Sequence, residues 1–354
     1  MKRIVIAAGG SGGHLYPAIA LSRVLLKEGH LVYLFVTKKR PGTITLEGFD
    51  FFESNSLGWD RTFLGGLRFI RGLSRDFVST LRRLKEIHPD IVVGMGGYAS
   101  IDPIIGAALL GIPKVIHEQN VIPGLANRFL APLVDRIFVS FPTSREYLPK
   151  KKVVYTGLPL REEFYAIKNK HSKTTDMPTV IVLGGSQGAR RINEVVLELL
   201  ENKLIDDINL IHITGPTEFN RLKERIANVT YPFYTVYGYR EDIWNLYREG
   251  DMAISRAGAS SITELATMKL PAILIPYEGA GGHQLYNAKW LEHTGSAVVL
   301  RQNELSASTL ARFILEIIGS EKLSQMKQAA SRLDVPNASY VLAEEVLKLL
   351  PGGI

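Results

Sequence analysis

The chain contains no cysteine. Disulfides, thiolate nucleophiles and cysteine-ligated zinc are thereby excluded, and a cytoplasmic setting is the expectation. Long apolar runs are missing too. Nowhere do eighteen apolar residues follow one another, and the opening stretch Ile4–Ala8 is cut short at Gly9, too early for the core of a secretory signal. Neither a membrane-spanning helix nor secretion is expected. No Gly-Lys pair occurs, which disfavours a P-loop and with it nucleoside triphosphate hydrolysis. Acids are scarce in one place: between Arg61 and Lys85 seven basic residues, Arg61, Arg68, Arg71, Arg75, Arg82, Arg83 and Lys85, stand against the single acid Asp76.

What is present suits a globular protein of two ordinary domains. Of 354 residues 46% are hydrophobic and 22% charged, and the net charge of +7 fits an anionic partner: nucleic acid, an acidic membrane surface or a phosphorylated substrate. Short apolar runs at Ile4–Ala8, Leu31–Val36, Ile91–Gly94, Lys114–His117 and Arg136–Val139 read as buried strands, separated by helical spacing at Pro17–Lys27 and Phe77–Ile87. The second half repeats this with strands at Thr179–Leu183, Leu210–Thr214, Thr235–Tyr237, Met252–Ser255 and Ala272–Ile275. Helical spacing intervenes at Arg190–Leu200, Glu218–Ala227, Ile243–Arg248 and Ser261–Met268. Such alternation predicts an α/β protein with two doubly wound, Rossmann-like parallel sheets. The polar stretch Ala166–Pro178 is the expected linker, giving domains 1–165 and 166–337. A last helical segment, Ala338–Leu350, carries Val341, Leu342, Val346 and Leu349 on one stripe and is expected to cross back, with residues 338–354, onto the first domain.

Each half opens with a glycine-rich turn between a strand and a helix: Gly9-Gly10-Ser11-Gly12-Gly13-His14 and Gly184-Gly185-Ser186-Gln187-Gly188-Ala189. Backbone N–H groups and the positive end of a helix dipole converge at such a turn and favour a phosphate or diphosphate. Neither turn has the dinucleotide spacing. Leu15 stands where the last glycine of the first turn belongs, and the second strand runs into Thr37, Lys38, Lys39 and Arg40 instead of an acid for the ribose. A hydride-transfer cofactor is disfavoured, and diphosphate binding remains.

The segments GGSGGHLYPA at 9–18, GMGGYAS at 94–100, HEQNVIPGLANR at 117–128, GLPLR at 157–161, GGSQGAR at 184–190, SRAGASSITE at 255–264 and HQLYNA at 283–288 together resemble the MurG family of bacterial peptidoglycan glycosyltransferases. The similarity runs in order over nearly the whole chain. It implies a GT-B fold, two Rossmann-like domains separated by a deep cleft. It also implies inverting transfer of N-acetylglucosamine from UDP-N-acetylglucosamine (UDP-GlcNAc) to undecaprenyl-diphospho-N-acetylmuramoyl-pentapeptide (lipid I), giving lipid II at the cytoplasmic face of the membrane. Another UDP-sugar transferase of this fold, or a non-catalytic sugar-nucleotide or polyprenyl-diphosphate binding protein, are the alternatives.

An inverting transfer needs a base for the attacking hydroxyl and stabilisation of the departing diphosphate. No two aspartates are separated by a single residue, so the diphosphate is expected to be held by backbone, helix dipole and side chains, with no required metal or other cofactor. His14, at the mouth of the first turn, is a candidate base or a diphosphate ligand, against the plainer reading of a helix N-terminal histidine bound to water. Glu118, at a predicted strand end, is the rival base or its helper, against a cap for the helix near Pro123. Gly10, Gly12, Gly13, His14, Gly96, Gly97 and Tyr98 are assigned to the acceptor diphosphate. For the donor, Asn120, Arg161, Ser186, Ala259, Ser260, Ser261, Ile262, Thr263, Glu264 and Gln284 carry over from the resemblance, and Ser11, Gly12, Gly13 and Arg240 are assigned to the donor beside them. Glu264 suits the two ribose hydroxyls, and Ser261 and Thr263 suit the α-phosphate. Arg240, Tyr16 and Asp102 depart from the family's commoner residues.

The basic stretch is interleaved with apolar residues, a pattern that suits an anionic bilayer at about 1 kcal/mol per basic group. Membrane contact is assigned to Phe63, Leu64, Leu67, Arg68, Phe69, Ile70 and Arg71, while Phe77, Val78, Leu81 and Leu84 are assigned to a helix facing the core. No RNA- or DNA-reading motif or aromatic platform accompanies the charge, so nucleic acid is not an expected partner.

Overall fold

In the computed structural model, which describes residues 1–38, 45–54, 76–167, 176–185 and 188–351, the apolar runs become strands because helices cover both faces of each sheet. The first sheet comprises β1 (Arg3–Ala8), β2 (Leu31–Thr37), β3 (Asp50–Ser54), β4 (Ile91–Gly94), β5 (Lys114–Glu118), β6 (Arg136–Val139) and β7 (Val153–Tyr155). Their order is β3-β2-β1-β4-β5-β6-β7, parallel throughout. The helices here are α1 (Gly12–Lys27), α2 (residues 76–87), α3 (Ile101–Leu109) and α4 (Leu125–Leu130).

The second sheet comprises β8 (Thr179–Leu183), β9 (Asn209–Ile213), β10 (Tyr234–Tyr237), β11 (Met252–Ser255), β12 (Ala272–Leu274) and β13 (Ala297–Val299), in the order β10-β9-β8-β11-β12-β13. It too is parallel throughout. Around it lie α5 (Glu162–Ile167), α6 (Arg190–Glu201), α7 (Pro216–Ala227), α8 (Ile243–Glu249), α9 (Ala259–Met268), α10 (His283–His293), α11 (Ala307–Ile318) and α12 (Lys322–Ser331).

The chain divides into two compact units, Met1–Arg161 with Pro336–Ile354, and Glu162–Val335. The last helix, α13 (Ala338–Leu347), belongs to the first unit: Leu342, Ala343, Val346 and Leu350 are buried in one core with Leu15, Leu21 and Leu25 of α1 and Ile4 and Ile6 of β1. The passage out of the first unit falls between Arg161 and Glu162, ahead of the polar stretch Ala166–Pro178, of which residues 168–175 lie outside the described residues.

Both sheets reverse their strand order once, between β1 and β4 and between β8 and β11. Outside the carboxyl ends of the strands at such a reversal is where ligands of such sheets bind. Each glycine-rich turn follows the first strand of its pair.

Candidate functional site

Two loops meet at the switch point of the first unit. After β1 the chain passes Gly9 and Gly10 to Ser11, whose extended backbone starts α1: the N–H groups of His14 and Leu15 donate to the Ser11 carbonyl at 3.1 and 3.0 Å. After β4, Gly96 (φ +85°) and Gly97 (φ +74°) take left-handed backbone that a side chain would strain. The loops are stitched together, Met95 N–H donating to the Ala7 carbonyl at 2.6 Å and Gly9 N–H to the Gly96 carbonyl at 3.1 Å. A Cβ on Gly97 would lie 3.1 Å from Gly9 Cα, and one on Gly96 2.8 Å from His14 Cδ2. Glycine is thus needed for both the conformation and the approach. Tyr98 opens the short turn Tyr98–Ser100, and the Ser100 hydroxyl lies 3.1 and 3.0 Å from the Ala7 and Gly96 carbonyls. His14 Nδ1 sits 2.7 Å from Ser11 Oγ, and burial pushes the ring's pKa down to about 4. The imidazole is therefore neutral at pH 7 and able to accept a proton.

Glu118 ends β5 and is 1% exposed. Its Oε1 accepts from Asn120 N–H at 2.8 Å and Asn120 Nδ2 at 3.4 Å; its Oε2 accepts from Gly124 N–H at 3.0 Å and Asn127 Nδ2 at 2.7 Å. Burial raises its pKa, while these bonds favour the charged form. The donors all come from the following loop and α4, so the carboxylate clasps residues 118–127 into one shape. The Asn120 carbonyl in turn accepts from Ser144 Oγ at 3.1 Å. Arg161, at the end of this stretch of chain, holds its guanidinium 5.8 Å from the Tyr16 ring centre.

In the second unit Gly185 (φ +72°) and Gly188 (φ +81°) turn the chain after β8, and a Cβ on Gly188 would lie 2.7 Å from the Thr214 carbonyl oxygen. Across the switch point β11 leads through Arg256, Ala257 and the extended N-cap Gly258 into α9. Gly258 has no side chain to cap the helix, so the first N–H groups of α9 stay available to an anion. Ser260 Oγ is buried there without a partner. Thr263 donates its hydroxyl to the Ala259 carbonyl at 2.9 Å, so that hydrogen is used within the helix. Ile262 is fully buried and serves the core.

Glu264 Oε2 accepts from the Tyr247 hydroxyl at 2.8 Å, and Tyr247 is itself buried, edge-on to Phe164 with ring centres 5.7 Å apart. Gln284 spends its carboxamide oxygen on Ala257 N–H at 3.2 Å and Tyr277 N–H at 2.9 Å, which leaves its nitrogen to offer a ligand. Asn287 Nδ2 donates to the Ala257 carbonyl at 3.1 Å, so both amides fix the loop before α9. Arg240 follows the edge strand β10 and makes a two-pronged pair with Asp242, both contacts 2.7 Å, which holds the Asp242 carboxyl down to about 2.

The structure brings Gly10, Ser11, Gly12, Gly13, His14, Gly96, Gly97 and Tyr98 to the loops of the first switch point, with Glu118 at the end of the adjacent strand β5 and Asn120 just after it. It brings Ala259–Glu264 and Gln284 together at the second, through Ala257. Arg240 pairs locally beside the outer strand. Ser186 and the membrane-contact set Phe63, Leu64, Leu67, Arg68, Phe69, Ile70 and Arg71 lie outside the described residues. Sequence reasoning missed Tyr247, which reads as one more core aromatic of α8, and Gln119, which stands between two more conspicuous residues. Among the described residues no group of three or more histidines and acids gathers as a metal site, and no helix is long and apolar enough to cross a membrane.

The glycosyltransferase family 28 N-terminal domain matches residues 4–139, and the glycosyltransferase family 28 C-terminal domain matches residues 179–342. The chain is 38% identical over 325 residues to the UDP-N-acetylglucosamine--N-acetylmuramyl-(pentapeptide) pyrophosphoryl-undecaprenol N-acetylglucosamine transferase of Desulfotalea psychrophila, covering 89% of this chain and 88% of that one. It is 32% identical over 361 residues to a transferase of the same name, numbered 2, from Bacillus thuringiensis (strain Al Hakam), covering 98% and 99% of the two chains. Among solved structures, the crystal structure of MurG from Acinetobacter baumannii superposes with a TM-score of 0.79 at 26% identity, covering 99% of this chain and all of that one. The two parallel sheets and these neighbours make the fold GT-B.

Proposed function

The chain belongs to the MurG family of glycosyltransferases, and from that premise we propose that it moves N-acetylglucosamine from UDP-GlcNAc to the muramoyl 4-hydroxyl of lipid I, giving lipid II for peptidoglycan. The second unit takes the donor: Glu264 the ribose hydroxyls, the open N-terminus of α9 with Ser260 and Ser261 the diphosphate, and the Gln284 nitrogen the sugar. The first unit takes the acceptor diphosphate at the Gly9–Gly13 and Gly96–Gly97 loops. His14 is the base. The hydroxyl proton passes to its neutral ring as the sugar oxygen bonds to the anomeric carbon from the face opposite UDP, which inverts that centre. Charge growing on the leaving diphosphate meets backbone N–H groups and hydroxyls already in place. Glu118 acts by holding the 118–127 loop in shape.

The observation that carries this reading is the neutral, half-buried His14 held at the mouth of a glycine-lined turn in one unit, with an uncapped helix N-terminus beside Glu264 in the other. Incubation with UDP-GlcNAc and a short-chain lipid I analogue in excess chelator tests it. Equimolar UDP release and disaccharide-lipid formation are expected. Ligand-induced stabilisation without turnover would instead leave a binding protein, and turnover only with added magnesium would overturn the metal-free route.

Work at a bilayer surface follows from a polyprenyl acceptor. Exposed Leu125 and Phe129, one turn apart on α4, and exposed Leu109 at the end of α3 support it alongside the basic stretch before α2. Sedimentation with anionic vesicles is expected at low salt and is expected to weaken as salt rises. No binding at low salt would count against this location.

A further inference from the structure

Gln119 lies between β5 and the loop clasped by Glu118, and only 2% of it is exposed. Its nitrogen fixes its orientation: it faces two carbonyl oxygens, Met95 at 2.8 Å and His117 at 3.2 Å, and both require a donor. The same nitrogen is 3.2 Å from His117 Nδ1, which therefore accepts, leaving His117 Nε2–H to donate to the Gly157 carbonyl at 2.9 Å. With the amide held this way, Oε1 is left buried without a hydrogen-bond partner. Oε1 and His14 Nε2 lie 2.9 and 3.0 Å from one point, the place a Cβ on Gly96 would occupy. An unused acceptor and the edge of the imidazole thus face one small space, kept open by a missing side chain. A buried acceptor left without a donor carries an uncompensated desolvation cost.

We infer that Gln119 is a positioning residue for His14, its carboxamide oxygen being the fixed negative end of a dipole that stabilises the imidazolium formed during transfer. This rests on the reading of His14 as the base. In the step, the sugar oxygen bonds to the anomeric carbon, the bond to the diphosphate breaks with its electron pair leaving on UDP, and the hydroxyl proton goes to His14. The resulting cation sits at the positive end of α1, which disfavours it. Among the described residues no carboxylate acts on the ring; burial alone shifts it. Glu118 is turned into its own loop, Asp102 on α3 is coupled to Asp76, and His117 on β5 is kept neutral by burial. Ser11 Oγ meets the far nitrogen, Nδ1. On the Nε2 side of the ring the Gln119 oxygen is the acceptor that favours the charged form.

Two substitutions should displace the acid limb of the kcat/KM profile in opposite senses. Gln119→Met removes the oxygen, so the limb should move to lower pH and kcat fall about tenfold or more. Gln119→Glu supplies a carboxyl that, once ionised, puts a full negative charge where the end of the amide dipole stood; here the limb should move to higher pH. UDP affinity should stay within about twofold in both, whereas a merely structural role would weaken turnover without opposite displacements. Should the methionine variant fail to fold, the upward displacement in the glutamate variant decides. Limbs that superimpose on the parent's, while His14→Ala abolishes turnover, would overturn the inference and leave the base intact. Normal turnover by His14→Ala would remove the base itself, a separate result.

Discussion

The Tyr247 hydroxyl helps to direct Glu264. The Tyr247 O–H reaches its carboxylate at 2.8 Å from a buried position, so it limits how the carboxylate can turn toward the ribose hydroxyls we assign to it. A hydrogen bond to a charged group is worth about 1.5–3 kcal/mol. Tyr247→Phe is therefore expected to raise KM for UDP-GlcNAc about tenfold with kcat nearly unchanged, the pattern of a lost ground-state contact, in steady-state kinetics. At this scale the glycine turns were legible in the sequence, because a backbone with positive φ or close approach leaves few residue choices. The direction of a polar side chain was not. Nothing in HEQN tells that four donors from the next few residues gather on Glu118, or that Thr263 gives its hydrogen back to Ala259.

Buried central strands announce themselves, whereas most edge strands do not. Arg136–Val139, Thr179–Leu183 and Met252–Ser255 carry apolar runs matching their observed bounds, whereas β3, β7 and β13 lie at sheet edges and are part exposed or only three residues long, too short or too mixed to be read as strands. Helix α1 begins at Gly12, five residues before the expected Pro17, since the turn leading into it carries glycines and not an apolar stripe. Strand β9 also hides a polar device. His212 is fully buried, with Nδ1 3.0 Å from the Tyr234 hydroxyl and Nε2 2.9 Å from Asn193 Oδ1, and burial lowers its pKa from 6.5 to about 3. Asn193 Nδ2 donates to the Thr214 carbonyl against which Gly188 packs. Between those two pKa values the unfolded chain binds this proton and the folded chain does not, so stability falls as pH drops, by about 1.4 kcal/mol per unit. In urea unfolding at pH 7 and pH 5, His212→Gln should lose about 2 kcal/mol less than the parent between the two conditions.

Across the whole molecule, the alternation of central strands and helices in both halves was readable, and so was the family. The relation between distant segments rests on which apolar stripe finds which partner. Leu342 of α13 is fully buried beside α1, and truncating a buried leucine to alanine costs about 2–5 kcal/mol. Leu342→Ala is expected to lower the melting of the first unit while UDP binding by the second persists, seen as two separated calorimetric transitions. A single transition shifted as a whole would mean that the units melt together. The docking of α13 also orders events during synthesis. The half that leaves the ribosome first cannot close its core until α13 emerges, and translating Glu162–Val335 at about 5–20 residues per second takes on the order of ten to thirty seconds. Through that interval the nascent chain shows the bare flank of α1, an apolar face that invites chaperone attendance.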